Sequence, residues 1–176
     1  MVKKITINLK AVESMLFIWA SLKDKEKIAD EFFIDLAATP EMEAAYDEEF
    51  TPNGFRKVLS ALVNRELMSD ATAREKRFWN NNMWMTEDLG VTQMMLEPLK
   101  QMNLDNRLSE LPDSVPYGEV EVIFYPGTTE LSSIQGNKLY INFFKIQVDI
   151  MGMEEEPKID GKLIPDFVLS ELAKMS

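Results

Sequence analysis

Glu119 and Glu121 stand two residues apart in a stretch that alternates polar with apolar, so both carboxylates fall on one face of a strand, with Tyr125 close by in sequence. Such a pair does acid–base work when its surroundings raise one of the two pKa values. A solvent-facing strand edge gives the same spacing, and glutamates there discourage edge-to-edge pairing, so the structural reading is preferred. Glu154, Glu155 and Glu156 bring oxygens that suit a hard cation, but without the spaced ligands and glycine of a calcium loop; they read as a solvated acidic loop. The seven glycines are scattered, none in phosphate-cradling spacing. Histidine and cysteine are absent from all 176 residues. That excludes Ser-His-Asp triads, HExxH zinc sites, Cys-His dyads and thiolate metal sites. No catalytic residue, metal ligand or cofactor is therefore assigned. Any catalysis, metal-assisted or not, would have to rest on carboxylates, lysine, tyrosine or serine.

The charge pattern says more. The chain carries a net −11, which disfavours a generic nucleic-acid or membrane-surface binder and favours basic partners. From Ile28 to Phe55 there are eight acidic residues, Asp30, Glu31, Asp35, Glu41, Glu43, Asp47, Glu48 and Glu49, and no basic one. From Gly54 to Trp79, Arg56, Lys57, Arg65, Arg74, Lys76 and Arg77 stand against Glu66, Asp70 and Glu75, a local +3. Two explanations compete: helix faces that neutralise each other inside the fold, or a surface offered to a partner. Trp79, Met83, Trp84 and Met85 read as core, with a ligand pocket or sticky partner surface as the alternative.

These residues need elements to place them. Hydrophobic residues make up 45% of the chain, enough for a real core in one compact domain, or a domain with an appended subdomain. The expected class is α+β: helical over the N-terminal two-thirds, with a small antiparallel sheet and a final helix at the C-terminus. Residues 1–111 form the helical region and 112–176 the strand-rich one, packed together as one unit. Leu111 to Pro116 supplies the linker.

Ile5, Ile7 and Leu9 alternate as a first strand. Val12, Met15, Leu16, Trp19 and Leu22 follow helical spacing, as do Ile28, Phe32 and Leu36. Pro40 breaks the second helix, and a short acidic helix follows over Glu41 to Glu49. Thr51 caps the clearest amphipathic helix, with Pro52 at its first position and Phe55, Val58, Leu59, Leu62, Val63 and Leu67 on its apolar stripe. Asn80 to Asn82 suggests a turn and Met83 to Met85 a strand. Val91 to Leu104 reads as a helix that Pro98 kinks or splits. Beyond Pro116 the period is two. Gly136-Asn137 and Asp160-Gly161 mark hairpin turns, a phase slip at Phe143-Phe144 suggests a β-bulge, and Ile146, Val148 and Ile150 continue the strand pattern. Pro165 and Asp166 open the last helix.

Residues 51 to 90 also resemble part of a winged-helix domain of the MarR or PadR kind. The carriers are the amphipathic helix running into Leu62-Val63-Asn64-Arg65, the charged stretch Arg74-Glu75-Lys76-Arg77, and the exit Thr86-Glu87-Asp88-Leu89-Gly90. Glu66 stands where those families usually carry the helix-terminating glycine. The resemblance implies a winged-helix-like core in which Arg56, Lys57, Ser60 and Asn64 face a nucleic-acid groove and Arg74, Lys76 and Arg77 sit on a wing.

The leading expectation is a non-enzymatic regulator, inhibitor or immunity-type protein. Its acidic residues Glu41, Glu43, Asp47, Glu48 and Glu49 would engage a protein partner with a basic surface. A winged-helix DNA-binding regulator comes second and a carboxylate-based, metal-assisted enzyme third. No long apolar stretch follows the charged N-terminus, so neither a signal segment nor a membrane span is expected, and a cytoplasmic location is the simplest.

Overall fold

A computed structural model describes residues 1–149 and 156–176. Helix accounts for 51% and strand for 16%, which places the chain in the mixed α+β class. It divides into two compact units, both discontinuous in sequence: Lys10–Leu89 with Tyr125–Glu130, and Met1–Leu9 with Gly90–Phe124 and Leu131–Ser176. The divisions thus fall after Leu9, Leu89, Phe124 and Glu130. The Leu111–Pro116 stretch lies inside one unit, with Leu111 and Val115 buried.

The first unit is helical: α1 (Lys10–Lys23), α2 (Asp30–Ala37), a 3₁₀ turn (Pro40–Ala45), α3 (Pro52–Val63) and α4 (Ala73–Glu87). α1 buries Val12, Met15, Ile18 and Trp19, the stripe that its period requires. Thr51 caps α3 as expected: its hydroxyl oxygen accepts the Gly54 N–H at 3.0 Å, and Pro52 sits in the first turn. Phe55, Val58, Leu59 and Leu62 then face inward, and Phe55 and Phe50 stack on Phe78 of α4 with ring centroids 5.2 and 4.9 Å away. Leu67 lies beyond the helix end and is 90% exposed, so it does not belong to the apolar stripe.

Two segments differ from expectation. The acidic stretch is not a helix through to Glu49. After the 3₁₀ turn, the Asp47 carboxylate accepts the backbone N–H groups of Glu49 and Phe50, both at 2.9 Å, and bends the chain into a side-chain-stabilised turn instead. The turn at Asn80–Asn82 and the strand at Met83–Met85 are also absent, because α4 runs through both. Its start is a capping box: Thr72 accepts the Glu75 N–H and the Glu75 carboxylate accepts the Thr72 N–H. Its buried stripe is Phe78, Asn82 and Met85.

α3 ends in a Schellman motif whose left-handed residue is Arg65 (φ +56°), one place before Glu66. Glu66 N–H donates to the Ala61 carbonyl at 2.8 Å and Arg65 N–H to that of Leu62 at 3.3 Å. α1 ends in the same way on Lys25 (φ +60°), with Glu26 N–H donating to Ser21 and Lys25 N–H to Leu22. An L-residue there costs about 1–2 kcal/mol of backbone strain, partly offset by the unfolded-state freedom that glycine would add. Arg65→Gly and Lys25→Gly are each expected to raise stability by about 0.5–1 kcal/mol, read as a higher urea midpoint at unchanged slope.

The second unit holds α5 (Leu89–Gln101, joined to the first unit through Leu89), most of the strands, and α6 (Ile164–Leu172). A four-stranded sheet has the order β1 (Lys4–Asn8), β2 (Glu119–Tyr125), β4 (Lys138–Asn142), β3 (Ser132–Gln135). β1 pairs parallel to β2, with Ile5 opposite Val120, and β3 antiparallel to β4. The two-residue loop Gly136-Asn137 joins β3 to β4 with glycine at φ +61° in its first position, as expected of a tight hairpin. A small antiparallel sheet, β5 (Ile146–Gln147), β6 (Lys158–Ile159) and β7 (Lys162–Leu163), turns at Asp160-Gly161, both with positive φ. No bulge forms at Phe143-Phe144. A 3₁₀ turn over Phe143–Lys145, held by the Asn142 side-chain oxygen accepting the Phe144 N–H at 3.1 Å, carries the chain from the larger sheet to the smaller. The strand pattern therefore stops at Gln147, and Ile150 lies outside the described residues. α5 continues through Pro98, and α6 opens at Ile164 with Pro165 in its first turn, as expected.

Candidate binding surfaces

The first unit carries both the acidic run and the basic residues that follow it in sequence. α2 buries Phe33, Leu36 and Ala37 and exposes Asp30, Glu31, Ile34, Asp35 and Ala38 on its outer side. Ile34, 49% exposed, is an apolar residue among carboxylates. On the segment that follows, Glu41 is half-buried, while Glu43, Asp47, Glu48 and Glu49 are exposed.

Part of this charge is neutralised within the fold. Arg56 pairs with Asp30 at 3.3 Å and also donates to the Asn53 side chain. Arg74 is the hub of a network. Its guanidinium pairs with the Asp47 carboxylate and with Glu130 at 2.8 Å, and it donates to the Thr128 hydroxyl at 2.7 Å and the Ala45 carbonyl at 3.4 Å. Glu130 in turn accepts from the Tyr125 hydroxyl at 3.0 Å and the Thr128 hydroxyl at 2.8 Å. Burial, and then the Glu130 charge, push the Tyr125 hydroxyl pKa up, so the phenol stays a donor. For Asp47, burial alone acts upward. The Glu49 and Phe50 N–H groups and the Arg74 guanidinium outweigh it, and its pKa lies below the usual carboxylate range. Lys57 pairs with buried Glu75 at 3.3 Å and donates to the Asp70 carbonyl. Glu75 also lies so close to Gly54 that a Cβ there would stand 2.8 Å from its carboxylate.

The remaining candidates are open. Glu31, Asp35, Glu43, Glu48 and Glu49 make no ion pair among the described residues, nor do Arg65, Lys76 and Arg77. Ser60 accepts the Asn64 amide at 3.3 Å on the outer side of α3. Arg74, Lys76 and Arg77 stand on α4, the single helix that occupies the stretch the winged-helix resemblance assigns to a wing and closing strand. In the other unit, Glu121 accepts the Asn8 amide at 2.9 Å while Glu119 is exposed. Glu156 is exposed, and Glu154 and Glu155 lie outside the described residues. Among the described residues no group of three or more carboxylates is placed to hold a metal ion, and no helix is long and apolar enough to cross a membrane.

The tryptophan–methionine group divides. Met85 is buried, Trp79 and Met83 are half-buried, and Trp84 is 67% exposed. Trp79 and Met83 join Leu22, Ala61 and Leu62 in a hollow of about 370 Å³ beside the α3–α4 loop, with Arg65, Glu66, Leu67 and Thr86 at its rim. The indole N–H of Trp79 is buried without an acceptor. Of the four residues that the sequence offers as core or, alternatively, as a pocket, Trp79 and Met83 line this hollow; its walls from α1 and the α3–α4 loop carry no local signal.

No protein-family model, curated protein or solved structure matches this chain.

Proposed function

We propose that the chain is a non-enzymatic binding protein that engages a basic surface of a protein partner through the acidic side of α2 and the turns after it. The carrying observation is the set of five exposed carboxylates, Glu31, Asp35, Glu43, Glu48 and Glu49, that no basic residue of the described fold neutralises. Asp30 and Asp47, by contrast, are held by Arg56 and Arg74 and belong to the scaffold. Unpaired like charges steer an oppositely charged partner and fix its register. Ile34 in their midst supplies the apolar contact that charge alone lacks. The nucleic-acid reading is less favoured. Of its candidates, Arg56, Lys57 and Arg74 are committed to carboxylates of the same unit, in a protein of net −11.

The test compares the wild type with a variant carrying Glu31→Gln, Asp35→Asn, Glu43→Gln, Glu48→Gln and Glu49→Gln, both immobilised in native lysate. The expected result is a basic protein retained by the wild type at low salt, released at high salt, and recovered at least ~10-fold less on the variant. All five sites are exposed, so circular dichroism should report an unchanged fold. Retention that responds neither to salt nor to the five substitutions overturns the reading.

A further inference from the structure

We infer that the α3–α4 loop and the adjoining face of α4 form a self-association surface, with Leu67 of one copy seated in the hollow between Leu22, Leu62, Trp79 and Met83 of another. Among the described residues Leu67 is the most exposed large apolar side chain, at 90%, and Trp84 follows only Met1, at 67%. Leu67 stands at the rim of the hollow, and Trp84 follows Met83, one of its lining residues, on α4. A projecting aliphatic side chain beside an apolar recess is the arrangement that a two-fold pair satisfies twice, each copy supplying one knob and one hole. In the single chain the apolar lining of the hollow faces water.

Charge selects a second copy as the occupant. Two molecules of net −11 repel over most of their surfaces. The charged residues that line the hollow are Arg65 and Glu66, one of each sign, and Lys76 lines the neighbouring recess with Leu67 and Trp79 against exposed Glu87 one residue beyond Thr86, so this face is close to neutral. The apolar knob and the recess thus coincide with a surface where another copy meets little repulsion. This interface and the acidic binding side respond to salt in opposite directions. Screening the overall repulsion strengthens self-association, whereas it weakens capture of a basic partner.

Sedimentation equilibrium of the full chain tests the inference, from low micromolar to several hundred micromolar and at two salt concentrations. The expected result is a monomer–dimer equilibrium that tightens with salt. Leu67→Asp should weaken it at least ~30-fold, the effect of a central hot-spot residue. With 90% of Leu67 exposed, that variant should keep the wild-type melting temperature, so loss of the dimer cannot be loss of the fold. Met83→Glu, at the recess, should weaken the dimer comparably, with its own melting temperature checked alongside. A wild type that stays monomeric throughout, or a dimer that persists in Leu67→Asp, overturns the inference.

Discussion

Asn82→Ala is expected to lower the unfolding free energy by about 2–4 kcal/mol, among the largest losses for a substitution outside the aromatic core. Asn82 is fully buried on the inner side of α4. Its side-chain oxygen accepts the indole N–H of Trp19 at 2.8 Å, and its amide donates to the Phe78 carbonyl at 2.7 Å. Trp19 is itself fully buried on α1, so this bond ties two helices together inside the core. Alanine removes the acceptor, leaves the indole N–H short of a partner and opens a cavity, and the first of these alone costs about 1–3 kcal/mol. Removing the donor should moderate the loss. In a cycle with Trp19→Phe, the second substitution should cost less when the first is already present. Urea denaturation followed by circular dichroism measures both. Additive losses, or a single loss below about 1 kcal/mol, would mean the bond does not couple α1 to α4.

The same asparagine explains why α4 was not legible in the sequence. Inner positions at 78, 82 and 85 have helical spacing, but the middle one is polar, and neighbouring Asn80 and Asn81 complete a run that resembles turn chemistry. The tertiary partner that makes Asn82 a core residue lies on another helix and leaves no local trace. The helix start did leave one, since Thr72-Ala73-Arg74-Glu75 has the spacing of a capping box. Where the determinants are local, sequence and structure agree: the Thr51-Pro52 start of α3, the Gly136-Asn137 and Asp160-Gly161 turns, and the Pro165 start of α6. Arg65 and Lys25 take left-handed conformations that glycine normally marks, so both helix ends went unsignalled. The unequal spread of charge was legible from the residues alone. Its division was not, because Asp30 and Asp47 differ from Glu31 and Glu48 only in which guanidinium lies within reach.

Replacing Arg74 by methionine is expected to cost about 2–4 kcal/mol, less than a fully buried pair would because its side chain is 20% exposed and that of Glu130 is 24%. Methionine keeps the packed stem but takes away five donors, so the Glu130 carboxylate loses the Arg74 guanidinium while it still accepts from the Tyr125 and Thr128 hydroxyls. Glu130 lies on Tyr125–Glu130, which belongs to this unit despite its distance in sequence, so the network anchors that return segment to α4 and to the Asp47 turn. Arg74→Lys should recover less than half of the loss, since an ammonium lacks the fork that reaches Asp47, Glu130 and Thr128 together. In the double variant Arg74→Met/Glu130→Gln, the combined cost should fall below the sum of the two, because neither charge is then left without the other. Acid provides a second readout. The folded-state pKa of Asp47 is depressed, so its contribution is fully present above the unfolded value near ~3.9 and is lost as pH falls through the lowered folded value. The wild type should therefore lose stability over that acidic interval, by a modest amount because Asp47 is 43% exposed and screened, and Arg74→Met should flatten the profile there. An Arg74→Met variant within about 1 kcal/mol of wild type, with an unchanged acid profile, would show that the Tyr125–Glu130 segment is held by its backbone and apolar contacts instead.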